Sequence, residues 1–158
     1  MRLGLAIAVL AAAIDQFAKS WILMAFAPDA PGERLRPVTP FINLTLTMNH
    51  GMSFGLFNND AALNAVVFTV LAAVIVAVLL VWLYRTRTPL LAVAIGLVIG
   101  GAVGNVIDRL VHGAVIDFLD FHLGAWHWFV FNLADAAISV GVGLMVIDGL
   151  RGRREAPN

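Results

Sequence analysis

The sequence predicts an all-α membrane protein of four transmembrane helices, with a small β-strand element on its outer face. Three observations carry this. Of 158 residues, 61% are hydrophobic and only 13% are charged, where a soluble domain carries about a quarter charged residues. Four apolar stretches, at about 3–26, 61–84, 90–107 and 131–150, each approach or exceed the roughly 20 residues that a bilayer requires. Between the first two, residues 41–49 alternate apolar and polar side chains with period two, the pattern of a strand with one apolar face. Residues 1–158 are read as one integral-membrane domain, with outer loops at about 27–60 and 108–130.

The first helix begins like a cleavable leader. Arg2 precedes an apolar run, and Ala25-Phe26-Ala27 has the small-x-small form of a cleavage site. Asp15 and Lys19 interrupt that run and the candidate cut lies far beyond its end, so the helix is expected to be retained. Asp15 and Lys19 stand four apart with the acid first, the favourable order. In a membrane such a pair must face the protein interior, and it reads as a structural ion pair locking the helix to its neighbours.

In the first outer loop, Pro28, Pro31, Gly32, Pro37 and Pro40 disfavour helix. In "FINLTLTMN", Ile42, Leu44, Leu46 and Met48 alternate with Asn43, Thr45, Thr47 and Asn49. A small sheet or hairpin on the outer surface is expected, its apolar face on lipid or on the helices. "NHGMSFG" follows, with Gly51 and Gly55 marking tight backbone.

The second helix is the least interrupted, and Arg85, Arg87 and Pro89 separate it from the third. There Gly96, Gly100 and Gly104 repeat every four residues, a small-xxx-small face for close packing on one side. Gly101, Asn105 and Arg109 repeat likewise, and Asp108 lies on a neighbouring part of that surface. A packing helix with a snorkelling arginine explains the glycines and Arg109, but not Asn105 and Asp108 together.

In the second outer loop, Asp117 and Asp120 sit among Val115, Ile116, Phe118, Leu119 and Phe121, while Trp126 and Trp128 suit a membrane interface. The fourth helix opens on "FNLAD", where Asn132 can cap and Asp135 falls at N3. A cap and helix-dipole role accounts for both. Serine or threonine would cap with less charge, however, and a carboxylate placed toward hydrocarbon usually has a job or a partner.

Orientation follows from Lys and Arg. Arg2, Arg85, Arg87, Arg151, Arg153 and Arg154 fall on one side of four spans, and Arg34, Arg36 and Arg109 on the other. The richer side is expected to be cytoplasmic, with both termini inside and the two polar loops outside.

The formal net charge is zero, so no nucleic-acid footprint is visible, and there is no cysteine to form disulfides, a thiolate nucleophile or cysteine metal ligands. His50, His112, His122 and His127 are scattered through the outer loops without HExxH spacing. What stands out is a pair of carboxylates. About eighteen residues separate Asp117 from Asp135, enough chain to fold back and bring them together near Asn105, Asp108, Arg109 and Asn132. Two partly desolvated neighbours share a proton; one can then activate water while the other protonates a carbonyl oxygen. Paired aspartates also bind protons or cations in transporters, so a coupled transporter using Asp15, Asp108 and Asp135 stays open. So does a non-catalytic assembly factor whose glycine faces take partner helices.

The motifs "DQFAK" (15–19), "NHGMSFG" (49–55), "GGAVGNVIDR" (100–109), "VIDFLDF" (115–121) and "FNLAD" (131–135) resemble, in this order and spacing, the lipoprotein signal peptidases (signal peptidase II). The resemblance covers nearly the whole chain. It implies a four-helix bacterial inner-membrane aspartyl peptidase, with its site toward the periplasmic face. That family removes the signal peptide from prolipoproteins just before a cysteine bearing diacylglycerol. Asp117 and Asp135 would be the catalytic dyad. Asn49, Asn105, Arg109 and Asn132 would line the site and hold substrate backbone or the aspartates. Asp15 and Lys19 would lie nearby, important but not catalytic, with Gly101 and Asp108 as further supports. Asp120 is assigned no role. No metal and no cofactor are implied, and the partners would be diacylglyceryl-modified prolipoproteins and membrane lipid, with the enzyme a monomer.

Overall fold

The computed structural model describes residues 1–27, 35–51 and 61–154; the expectations resting on Pro28, Pro31, Gly32 and Gly55 lie outside them. Four helices are long and apolar enough to cross a membrane: α1 (Arg2–Phe26), α2 (Ala61–Arg85), α3 (Pro89–His112) and α4 (Leu133–Arg154). Strands β1 (Leu35–Pro37), β2 (Ile42–Asn49), β3 (Val115–Leu123) and β4 (Trp126–Phe131) form one antiparallel sheet in chain order. The protein is therefore a multi-pass helical membrane protein with an appended sheet.

The most buried helix is α3, and α1, α2 and α4 all pack on it. Its glycines explain how. A Cβ on Gly100 would fall 2.5 Å from the carbonyl oxygen of Ala8, and one on Gly96 would strike the carbonyl of Gly4. The glycine face thus meets bare α1 backbone. Close packing was expected on one side only. Gly101 opens a second side, where a Cβ would meet the Ala134 carbonyl and lie 2.8 Å from Ile138. Between the helices, Ala8, Leu79, Leu83, Ile95, Val98 and Ile99 form the apolar core.

One boundary differs from expectation. The outer loop was placed from residue 108, but α3 continues to His112, so Asp108 and Arg109 are helical. Nothing between Asn105 and His112 breaks a helix. Gly113 does, at φ 70° with its N–H bonded to the Arg109 carbonyl, the usual left-handed stop. The remainder of that loop is the β3–β4 hairpin, turned at Gly124 with φ 61°.

The sheet is seated on α1. Leu44 and Leu46, on the expected apolar face of β2, pack with Ile22, Phe26 and Phe118. The other face of β2 is not uniformly solvated: Asn43 is buried and donates to Asp120 Oδ2 at 2.9 Å. β2 and β3 pair with Thr47 opposite Asp117 and Asn49 opposite Val115, so Asn49 lies diagonal to Asp117.

Candidate active site

Asp117 is delivered by β3 and Asp135 by the first turn of α4. The local reason at α4 is a reciprocal cap. Asn132 Oδ1 accepts from the Asp135 N–H at 2.9 Å, and Asp135 Oδ2 accepts from the Asn132 N–H at 3.4 Å. This is a capping box with asparagine and aspartate in the two roles. The cap reading was correct, but it uses only part of each side chain. Asn132 Nδ2 also donates to Asp117 Oδ1 at 2.6 Å, and Asp135 Oδ1 accepts from Asn105 Nδ2 at 2.9 Å. Asn49 Nδ2 donates to Asp117 Oδ2 at 2.9 Å. Three amides therefore orient two carboxylates.

Both carboxylates line one cavity of about 470 Å³, with Asn49, Gly51, Phe68, Arg109, Phe129 and Val130. Arg109 lies with its guanidinium 5.4 Å from the Phe68 ring centre and an Nη donating to the Asn105 carbonyl at 3.4 Å. Asp135 also borders a second, almost wholly apolar hollow beside Phe121, Trp128, Phe131 and Val140. Asp117 is only 2% exposed. Burial raises its pKa, as does the negative charge of Asp135; amide bonds from Asn49 and Asn132 and the charge of Lys19 oppose them, and the result is about 6 against an ordinary 3.8. The geometry thus offers a carboxyl able to hold a proton and a second carboxylate lining the same cavity.

Residues 7–151 match the family described as signal peptidase (SPase) II. The chain belongs to the signal peptidase II family. The peptidase is 42% identical to the lipoprotein signal peptidase of Rhodopseudomonas palustris strain TIE-1 over 156 residues, covering 96% of this chain and 94% of that one. It is 44% identical to the Burkholderia mallei strain SAVP1 lipoprotein signal peptidase over 153 residues, covering 96% and 90%. In three dimensions it superposes on a bacterial membrane enzyme solved by the in meso method at 2.3 Å. The TM-score is 0.80 at 26% identity, covering all of this chain and 94% of that one. A second such enzyme, solved at 1.9 Å, gives a TM-score of 0.77 at 28% identity.

In the peptidase, Asn49, Asn105, Arg109, Asn132, Asp117 and Asp135 come together, as the sequence led one to expect. Asp15 and Lys19 do form a buried pair, at 2.7 Å, but Asp108 is a third member, 2.6 Å from Lys19. A transporter would string its acids across the membrane; here Asp15 and Asp108 share one lysine. Gly101 does not line the cavity and acts through packing on α4. Asp120 is held by Asn43 and by His127 at 2.9 Å. Burial works to raise its pKa, but these hydrogen bonds and the neighbouring His127 and His122 hold it below the ordinary carboxylate value. None of the four histidines lines the cavity; His122 and His127 stack on each other, ring centres 5.1 Å apart.

Two participants were missed. Gln16 Nε2 donates to Asp108 Oδ1 at 2.8 Å and to the Gly104 carbonyl at 3.1 Å. A third polar residue beside Asp15 in an apolar helix was a usable signal. Phe68 had none, being one apolar residue among many in α2. Its ring packs where a side chain on Gly51, at φ 81°, would collide with it.

Proposed function

We propose that this chain is an aspartic endopeptidase that removes the signal peptide from diacylglyceryl-modified bacterial prolipoproteins, cutting before the lipidated cysteine. One observation carries the chemistry: the carboxylates of Asp117 and Asp135 face a common cavity, each fixed by side-chain amides. Asp135 takes a proton from water as the water oxygen bonds to the scissile carbonyl carbon, and protonated Asp117 gives its proton to the carbonyl oxygen. Collapse of the diol breaks the C–N bond as the proton on Asp135 passes to the leaving nitrogen and one diol hydroxyl returns a proton to Asp117, leaving the carboxylic acid product and the starting pair. The enzyme works as a monomer in the bacterial inner membrane and needs no metal or cofactor. The apolar hollow beside Asp135 suits a substrate that arrives from lipid.

The direct test is incubation with a lipidated prolipoprotein peptide in detergent, with products identified by mass spectrometry. A single cut before the modified cysteine is expected. Cleavage elsewhere, or none, would remove the assignment. The same assay tests the proton. If the singly protonated pair is active, the rate falls on both sides of an optimum, with values belonging to the pair. The alkaline limb of kcat/KM should lie near or above about 6, where Asp117 loses its proton. That of kcat should lie higher, because bound substrate displaces water and deepens the desolvation. Turnover should be indifferent to strong chelators. A rate still rising at pH 9, or chelator sensitivity, would sink the shared-proton mechanism. The shift also has a stability sign: its contribution is fully present below 3.8 and is lost as pH rises through about 6.

The basic residues support a topology with both termini in the cytoplasm and the cavity at the periplasmic face. A reporter fused after Arg87 or Arg154 should be cytoplasmic, and one inserted near Asp29, outside the described residues, periplasmic. A periplasmic C-terminus would overturn the placement of the site as well.

A further inference from the structure

Lys19 is 1% exposed and has three donors to satisfy. It spends them on Asp15 Oδ2 at 2.7 Å, Asp108 Oδ2 at 2.6 Å and Asn105 Oδ1 at 3.0 Å. The two carboxylates each do something more. Asp15 Oδ1 accepts the backbone N–H of Ala134 at 2.8 Å. Asp108 Oδ2 accepts the backbone N–H of Ile116 at 3.1 Å. Ala134 immediately precedes Asp135, and Ile116 immediately precedes Asp117. Each non-catalytic aspartate thus grips the residue before one proposed catalytic aspartate, and Lys19 joins the two grips.

The third donor reaches the dyad by another route. An ammonium can only donate, so it turns the oxygen of the Asn105 amide toward itself. The Asn105 nitrogen is thereby sent to Asp135 Oδ1, 2.9 Å away. The same Asn105 oxygen accepts from Asn132 Nδ2 at 3.3 Å, the nitrogen that also donates to Asp117 Oδ1. A merely structural ion pair needs neither the two backbone N–H groups nor this fixed amide orientation. Gly104 makes the arrangement possible, since a Cβ there would stand 2.5 Å from Asp15 Oδ2.

We infer that Lys19, with Asp15 and Asp108, is a positioning unit that sets the separation of Asp117 and Asp135 and the orientation of the amides that hold them. This rests on the reading of those two aspartates as the reacting pair. Lys19 touches neither of them in the hydrogen-bond network, and its effect is carried by Asn105, Ala134 and Ile116.

The test is a double-mutant cycle on cleavage of a lipidated prolipoprotein peptide, using Lys19→Met, Asn105→Ala and the double variant, with Asp117→Asn alongside. Lys19→Met should lower kcat by roughly 100-fold, the scale of a 1 Å misplacement of reacting groups, with KM changed by less than about threefold. The double variant should lose little more than the worse single one, because both act along one chain of contacts. The alkaline limb should also move to higher pH, since the charge of Lys19 favours the ionised form of Asp117. Where Lys19→Met does not fold, Asp108→Asn replaces it. That variant keeps the oxygen that accepts from Ile116 but loses the charge that pairs with Lys19 and sets an amide N–H against the Gln16 donor, and the same kcat loss is expected. A folded variant with wild-type kcat, or losses that multiply in the double variant while Asp117→Asn is inactive, overturns this inference alone. Full activity of Asp117→Asn overturns the dyad reading and this inference with it.

Discussion

Asp117→Asn and Asp135→Asn are each expected to abolish cleavage while leaving a folded protein that still binds lipidated substrate. Asparagine keeps the size and planarity of the side chain but cannot exchange a proton. General acid–base catalysis alone contributes about 10²–10⁴-fold, and both steps of the proposed reaction need both groups, so a loss of at least about 10³-fold is expected. At Asp135 the cap survives, because an amide oxygen can still accept from the Asn132 N–H. At Asp117 two amide nitrogens, from Asn49 and Asn132, point at the carboxylate. One of them loses its acceptor in the Asn variant, so some stability goes too. Initial rates by mass spectrometry, beside thermal melts in the same detergent, separate the two effects. Substantial turnover by either folded variant would remove that residue from the chemistry.

Gly100→Val is expected to destabilise the helix bundle strongly. Its Cβ would lie 2.5 Å from the Ala8 carbonyl oxygen and 2.8 Å from the Ala11 Cβ. Backbone cannot rotate aside as a side chain can, so α1 must move away from α3. Overpacking costs about 1–3 kcal/mol, and the upper end applies here. Gly143→Ala on α4 is the control: a Cβ there meets nothing within 4 Å, and alanine is the better helix former by about 1 kcal/mol. A melting temperature for Gly100→Val equal to that of the control would show that the α1–α3 contact is not tight.

The helices were legible because long apolar runs leave few alternatives, and β2 because its alternation from Ile42 to Asn49 is clean. The β3–β4 hairpin was not. Val115, Ile116, Asp117 and Phe118 are all buried, so no alternation survives to announce a strand. The carboxylates stood out as charges in apolar surroundings, and Asn132 as a cap. The place of Asp108 could not be read. Its contact with Lys19 depends on α1 crossing α3 beside Gly104, a fact of packing 89 positions apart in the chain (108 minus 19). Gln16 was readable as a polar residue beside Asp15 in an apolar helix, but its partner Asp108 was not.

The reciprocal cap at Asn132 and Asp135 has a bearing on synthesis. The carboxylate that starts α4 is the one proposed to react, and the N–H beside it is claimed by Asp15 at the other end of the chain. Until the last quarter of the polypeptide has emerged and wound, a half-made molecule carries Asp117 without a counterpart. On the proposed mechanism it lacks the second carboxylate that hydrolysis needs. On the same mechanism, activity would switch on only with the final insertion event.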